Sequence, residues 1–112
     1  GRKDDMIKTS GYRVSPTEIE EVLYDSGQIV EAAAVGVPHP TLGQAVVGVV
    51  KPLPASCAEA DLINHCKLHL PNFMTPLHIV LRQTDLPRNA NGKIDRKALA
   101  GELRDLFSEG DV

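Results

Sequence analysis

No stretch of this sequence approaches the ~18 consecutive apolar residues that a membrane-spanning helix requires, so no transmembrane segment is expected. A secretory signature is also lacking: Gly1-Arg2-Lys3-Asp4-Asp5 is charged and leads into no apolar h-region. Cysteine is scarce. Cys57 and Cys66 are too few for a disulfide framework, which points to a reducing, cytoplasmic setting. There is no basic excess either, and a net charge of −3 argues against a dedicated nucleic-acid binder. Internal repeats and low-complexity tracts are absent. What is there is ordinary globular usage, 42% hydrophobic and 24% charged over 112 residues. That suffices for one domain with one modest core, not for a deep cleft walled on both sides.

The small net charge hides a division. Residues 1–13 and 88–97 hold eight of the twelve Lys and Arg, namely Arg2, Lys3, Lys8, Arg13, Arg88, Lys93, Arg96 and Lys97, against three acids. These 23 residues carry +5, and the other 89, with four bases and twelve acids, carry −8. Two basic segments on an acidic domain suit a compact anion. Composition alone equally allows two solvated loops.

Along the chain, residues 6–14 mix β-branched and polar residues around Ser10-Gly11 and predict a short hairpin. Ser15-Pro16-Thr17-Glu18 reads as a capping box with proline at the first helical position. Ile19, Val22 and Leu23 then form the apolar stripe of a helix ending near Asp25-Ser26-Gly27. Residues 29–37 and 45–50 are nearly continuous apolar runs, read as buried strands joined by the loop 38–43, with the alanines at 32–34 the least strand-like part. Ser56 and Glu59 form a second capping box, opening a helix to about His69 with Leu62, Ile63 and Cys66 inward. Residues 78–83 predict a third strand, 85–92 a loop, and a last helix opens at Asp95 with Leu99, Leu103, Leu106 and Phe107 on its apolar face. The expected fold is α+β: a small sheet of about three strands plus an N-terminal hairpin, with about three packed helices. Residues 1–107 form the domain, and 108–112 read as a frayed tail.

Few residues offer chemistry. Lys93 follows Asn91-Gly92, a dipeptide that favours positive φ and a tight turn, so its ammonium is a movable charge fitted to phosphate or carboxylate oxygens. It is no Walker lysine, since the glycine spacing is missing and Ile94 stands where a hydroxyl belongs. On spacing alone, an exposed turn lysine is the favoured reading. Asp4-Asp5 reads as a turn or surface pair, since adjacent side chains point apart. His65 and His69, at i and i+4, offer one edge of a metal site. No glutamate completes His-Glu-x-x-His and no second ligand pair is near in sequence, so no metal is expected. His39 and His78 are isolated, and neither cysteine reads as a nucleophile, Cys57 following a cap and Cys66 facing the core.

Two longer stretches carry more. Gly1-Arg2-Lys3-Asp4-Asp5-Met6-Ile7-Lys8, followed by Ser10-Gly11-Tyr12-Arg13-Val14 and Glu18-Ile19-Glu20, resembles the hinge motif of the AMP-forming adenylating enzymes. That superfamily includes acyl-CoA synthetases, luciferases and the adenylation domains of nonribosomal peptide synthetases. Residues 86–97, Leu86-Pro87-Arg88-Asn89-Ala90-Asn91-Gly92-Lys93-Ile94-Asp95-Arg96-Lys97, resemble its C-terminal lysine motif. Val35-Gly36-Val37-Pro38-His39-Pro40 and Gly43-Gln44 fit between them, and the resemblance runs from residue 1 to about 104.

The resemblance implies the mobile C-terminal lid of a much longer acid–thiol ligase, with the adenylating domain lying outside this chain. Such enzymes use ATP and Mg²⁺ to make an acyl-adenylate, then pass the acyl group to the thiol of CoA or phosphopantetheine with release of AMP. Residue by residue, Lys93 resembles the catalytic adenylation lysine, Asp4 the hinge, Arg2 and Arg13 nucleotide contacts, and Gly11 the point where the pantetheine arm passes. No metal ligand is implied, and nothing is expected bound to this domain alone, which is expected to be inactive by itself. The implied partners are its own N-terminal adenylating domain and either CoA or an acyl or peptidyl carrier protein. Phe73-Met74-Thr75-Pro76-Leu77 lacks the basic residues that many CoA ligases carry there, and Leu70-Pro71-Asn72-Phe73-Met74-Thr75-Pro76 and residues 91–99 resemble the peptide-synthetase version, whereas Asp4-Asp5-Met6-Ile7-Lys8 resembles the CoA ligases. Free CoA is the reading adopted, with carrier-protein loading as one alternative and a non-enzymatic module binding a nucleotide or carrier protein as another.

Overall fold

The computed structural model describes residues 6–54 and 58–107. In chain order they form β1 (Ile7–Thr9), β2 (Tyr12–Val14), α1 (Pro16–Asp25), β3 (Ile29–His39), β4 (Gly43–Pro52), α2 (Glu59–His69), β5 (His78–Leu81) and α3 (Arg96–Glu102), with one 3₁₀ turn at Asn72–Met74. The five strands make one mixed sheet, so the fold is α+β as the sequence predicts. The hairpin is not separate: β1 pairs antiparallel with β4 through Thr9 and Gly43. β4 also pairs antiparallel with β3 and parallel with β5.

The apolar runs at the centre are continuous because the β3–β4 ladder is covered on both faces. Successive strand residues point to opposite sides, and they divide between two clusters. Ala32, Ala34, Val46 and Val50 pack with Ile19 and Leu23 of α1 and Leu62 and Cys66 of α2. Ala33, Val35, Val37, Val47 and Val49 pack with Leu86 and with Leu99 of α3. The alanines that weakened the strand reading are buried, and the small side chains of Ala32 and Ala34 let α1 lie close to β3. Helical packing on both sides, not intrinsic β preference, makes this segment a strand.

Several boundaries differ from expectation. β3 and β4 extend to His39 and back from Gly43, so the predicted six-residue loop shrinks to three residues, and Gly43 takes φ +85°. β5 stops at Leu81. α1 starts where predicted, with Pro16 at its first turn, but the Ser15 side chain makes no cap hydrogen bond. Ser56 lies outside the described residues, and α2 is flanked by Ala58, whose N–H donates to Asp61 Oδ2 at 3.4 Å, so Glu59 is the helix's first residue and not a box partner. α3 begins as predicted, with the Asp95 carboxylate accepting from Ala98 N–H at 3.0 Å. It ends at Glu102, and Leu103, Leu106 and Phe107 still cover the second cluster from a run of turns. The tail at 108–112 lies outside the described residues. No helix among the described residues is long and apolar enough to cross a membrane.

Cys66 faces the core, as its position on the α2 stripe implies. Burial pushes its thiol up from 9.0 to about 11. Its raised value means the unfolded chain releases this proton at a lower pH than the folded one. The resulting stability is complete below about pH 9 and is lost as pH rises toward 11. The urea midpoint is therefore expected to fall between pH 8 and 10.5, by less in Cys66→Ala; equal falls would exclude this thiol as the cause.

Candidate functional site

Lys93 sits on a loop whose backbone is fixed almost residue by residue. Arg88 and Ile94 form an antiparallel bridge across it. The Asn89 side-chain oxygen accepts the N–H groups of Asn91 at 2.9 Å and Lys93 at 3.2 Å. Asn89 N–H donates to the Lys93 carbonyl at 2.8 Å, and Gly92 N–H to the Asn89 carbonyl at 2.9 Å. Gly92 takes φ +81°, which a side chain at that position would resist. Arg88 braces the loop from below: one nitrogen donates to the Gly92 carbonyl at 3.1 Å, another to Glu31 Oε2. The other Glu31 oxygen accepts Leu86 N–H at 2.9 Å, so one carboxylate of β3 anchors both the approach to the loop and its brace. The Lys93 side chain is exposed, and among the described residues no carboxylate pairs with its ammonium.

A second carboxylate joins the two sequence motifs. Glu20 of α1 receives a two-point contact from Arg96, at 2.8 Å from Nε and 2.7 Å from Nη2, and also accepts Ala34 N–H at 2.8 Å. Tyr24, one turn further along α1, accepts Ala32 N–H at 3.0 Å through its hydroxyl. These contacts satisfy amides on the outer edge of β3, which would otherwise be open to pairing. They also fix the start of α3, and with it the loop bearing Lys93, against the helix that follows the hinge motif. Beside this junction lies a hollow of about 110 Å³ lined by Met6, Gly36, Gln44, Arg96, Lys97 and Ala100. The Gln44 side chain lies across Gly36, where a Cβ would come within 2.9 Å of it, and accepts Lys8 N–H at 2.7 Å. The internal motif pieces Gly36 and Gln44 thus hold the hairpin to the central ladder.

The hairpin itself turns through Ser10 (φ 52°) and Gly11 (φ 85°), two successive left-handed residues of the kind that tight hairpins require. Space beside Gly11 is open. Arg13 stands directly across from Lys8, both exposed, a like-charge pair that is unfavourable unless an anion or solvent screens it. The Tyr12 ring stacks on Phe73 at 4.0 Å and 13°, seating the hairpin on the 3₁₀ turn. Asp4 and Arg2 lie outside the described residues.

The basic segments are less uniform than their composition implied. Of the six described basic residues there, Arg88 and Arg96 pair with carboxylates, Arg88 while still half exposed, whereas Lys8, Arg13, Lys93 and Lys97 are exposed and pair with no carboxylate among the described residues. Glu20 and Glu31 escaped the sequence reading as functional supports because their partners lie 76 and 57 residues away. His39 accepts the N–H groups of Thr41 and Leu42 in the β3–β4 turn, and His78 pairs with Glu59 at 2.7 Å. Both are structural roles. His65 and His69 do come together on α2, and Asp25 joins them.

This fold, with a lysine loop and a hinge-side hairpin on one small sheet, has close counterparts. The family of AMP-binding enzyme C-terminal domains matches residues 18–93, and the chain belongs to that family. It is 43% identical over 104 residues to a long-chain-fatty-acid–CoA ligase of Salmonella typhimurium, covering 92% of this chain and 18% of that protein. It is 38% identical over 109 residues to a peroxisomal butyrate–CoA ligase of Arabidopsis thaliana, covering 94% of this chain and 18% of the relative. The structure of apo MatB from Rhodopseudomonas palustris superposes with a TM-score of 0.91 at 32% identity, covering 96% of this chain and 22% of that one. The chain therefore spans about a fifth of the length of the relatives it matches.

Removing the Glu31 carboxylate tests the support of the lysine loop. Glu31→Ala is expected to cost about 1–3 kcal/mol in a urea melt, since it strands a buried N–H and a guanidinium. Hydrogen exchange at the Leu86 amide should quicken by on the order of tenfold or more. An unchanged Leu86 rate would show that the loop does not depend on Glu31.

Proposed function

We propose that residues 1–107 are the mobile lid of an AMP-forming acyl-CoA synthetase, which delivers Lys93 for acyl-adenylate formation and then swings to admit CoA. The observation that carries this reading is an exposed ammonium, unpaired among the described residues, on a loop whose backbone is locked by Asn89, Arg88 and Glu31. Joining a carboxylate to the α-phosphate of ATP concentrates negative charge on the oxygens between them. An ammonium already held in place stabilises that charge without reorganisation, typically worth about 10²–10³ in rate. The fixed backbone supplies the placement, and the absence of an internal ion pair leaves the charge available. Mg²⁺ would travel with ATP in the larger domain and shield phosphate charge, and Lys93 is this chain's own contribution.

In this reading Asp4 is the pivot, Arg2 meets the ribose of the nucleotide, and Arg13 with Lys8 lies on an anion-facing side of the hairpin. After rotation, the open space beside Gly11 lets the pantetheine arm pass close to the backbone. Relatives named as CoA ligases support CoA as the acceptor over a carrier protein. The buried, unpaired Cys66 fits a reducing compartment such as the cytoplasm. In this reading the acid and ATP pockets belong to the larger domain, and the chain by itself is expected to be inactive.

In the full-length enzyme, Lys93→Ala is expected to lower adenylation by about 10²–10³, read by pyrophosphate exchange, while thioester formation from supplied acyl-adenylate stays near wild type. Equal loss of both half-reactions would remove Lys93 from this role. Conversely, Asp4→Pro restricts φ at the pivot and the peptide before it. It should slow thioester formation selectively in single-turnover assays, and an unaltered second step would exclude Asp4 as the pivot.

A further inference from the structure

The sequence offered two histidines one helical turn apart and no third ligand. The fold supplies one. Asp25 is the last residue of α1 and His69 the last of α2, and with His65 their ligand atoms all lie within 4.8 Å of one another. His65 Nε2 is buried and makes no hydrogen bond, although Asp25 Oδ2 stands 3.5 Å away. A buried imidazole nitrogen with no hydrogen-bond partner requires an explanation. Its distance from the carboxylate oxygen is close to the ~3.4 Å edge between two ligands on a tetrahedral zinc ion with bonds of about 2.0–2.1 Å. The two imidazole rings lie 4.6 Å apart and tilted by 48°, already near the packing of two ligands on one ion. His69 and Asp25 are exposed, so small rotations of their side chains complete the approach.

Electrostatics favour a cation at the same point. The C-terminal ends of α1 and α2 converge there, and each carries the negative end of a helix dipole. The last turn of α1 holds no basic residue. Cys66, although adjacent in sequence, is buried in the core and lies outside this cluster of ligand atoms.

We propose that Asp25, His65 and His69 bind one first-row divalent ion of the zinc class, stapling the end of α1 to the end of α2. Two imidazoles and a carboxylate suit Zn²⁺ or Co²⁺ better than Mg²⁺ or Ca²⁺, which prefer all-oxygen sites. Three protein ligands leave a fourth position for water. The site lies on the opposite cluster from Leu86 and Leu99, which underlie the lysine loop, so it is separate from the adenylation chemistry proposed above.

The test is titration of the chelator-treated chain with Zn²⁺ by calorimetry, with Co²⁺ absorption as a report of geometry. One ion per chain is expected, with intense tetrahedral Co²⁺ bands and a rise in melting temperature of several degrees at saturation. His69→Gln and Asp25→Asn, both surface changes that leave the cores intact, should each weaken Zn²⁺ binding by on the order of tenfold or more, while His78→Gln should not. No binding up to roughly millimolar Zn²⁺, or binding unchanged in His69→Gln and Asp25→Asn, or loss in His78→Gln alone, would overturn the proposal. None of these readouts involves adenylation or thioester formation, so the two proposals stand or fall separately.

Discussion

The β3–β4 ladder, buried on both faces, is the constraint on which everything else in this domain rests. Its two sides are covered by different elements, α1 and α2 on one and α3 with the segment through Leu86 on the other. Alternating side chains therefore serve two cores at once, and neither core can form without the same two strands. β4 is paired on both sides, to β3 along one edge and to β1 and β5 along the other. The hairpin is thus attached to the strand that holds the whole sheet together.

β3 is the weak side of that arrangement, since its outer edge has no strand partner among the described residues. Side chains of α1 close it, with Glu20 and Tyr24 accepting the amides of Ala34 and Ala32. Glu20 then uses its remaining capacity on Arg96, so the group that protects the edge also fixes the start of α3. Glu31, on the same strand, fixes the Leu86 amide and Arg88. Two carboxylates thereby transmit the rigidity of the ladder to the loop that carries Lys93. In the proposed function, a charge presented to reacting oxygens needs a stiff mount, because positional error there forfeits the electrostatic gain.

The same structure sorts the basic residues into two kinds. Arg96 grips the Glu20 carboxylate at two points and Arg88 spans the Glu31 carboxylate and the Gly92 carbonyl, so both act as braces, a task that suits guanidinium geometry. Lys8, Lys93 and Lys97, with Arg13, remain outward. The division of charge along the sequence was real, but a third of the described basic residues in those segments serve the fold. Charge density along the sequence therefore overstates the basic surface left without a carboxylate partner among the described residues.

Much of the architecture was legible in the sequence. The apolar stripe of α1, the continuous runs of β3 and β4, the cap at Asp95 and the Asn91-Gly92 turn are set by local periodicity and backbone preference, which act over a few residues. The long motifs around Glu18-Ile19-Glu20 and residues 86–97 marked the family, and Lys93 stands exposed as that reading required. Other features depended on distance in space. Glu20 meets Arg96 across 76 residues, Gln44 reaches Lys8 across 36, and Asp25 arrives beside His65 and His69 only when α1 packs on α2. Strand ends shifted as well, because ladder pairing continued through His39 and Gly43 where local composition read as loop. Sequence determined which segments would be helix, strand or turn and which lysine would stand at a loop tip. Tertiary structure alone decided which charges were spent on one another, since pairing of side chains far apart in the chain is fixed by packing and leaves no local trace.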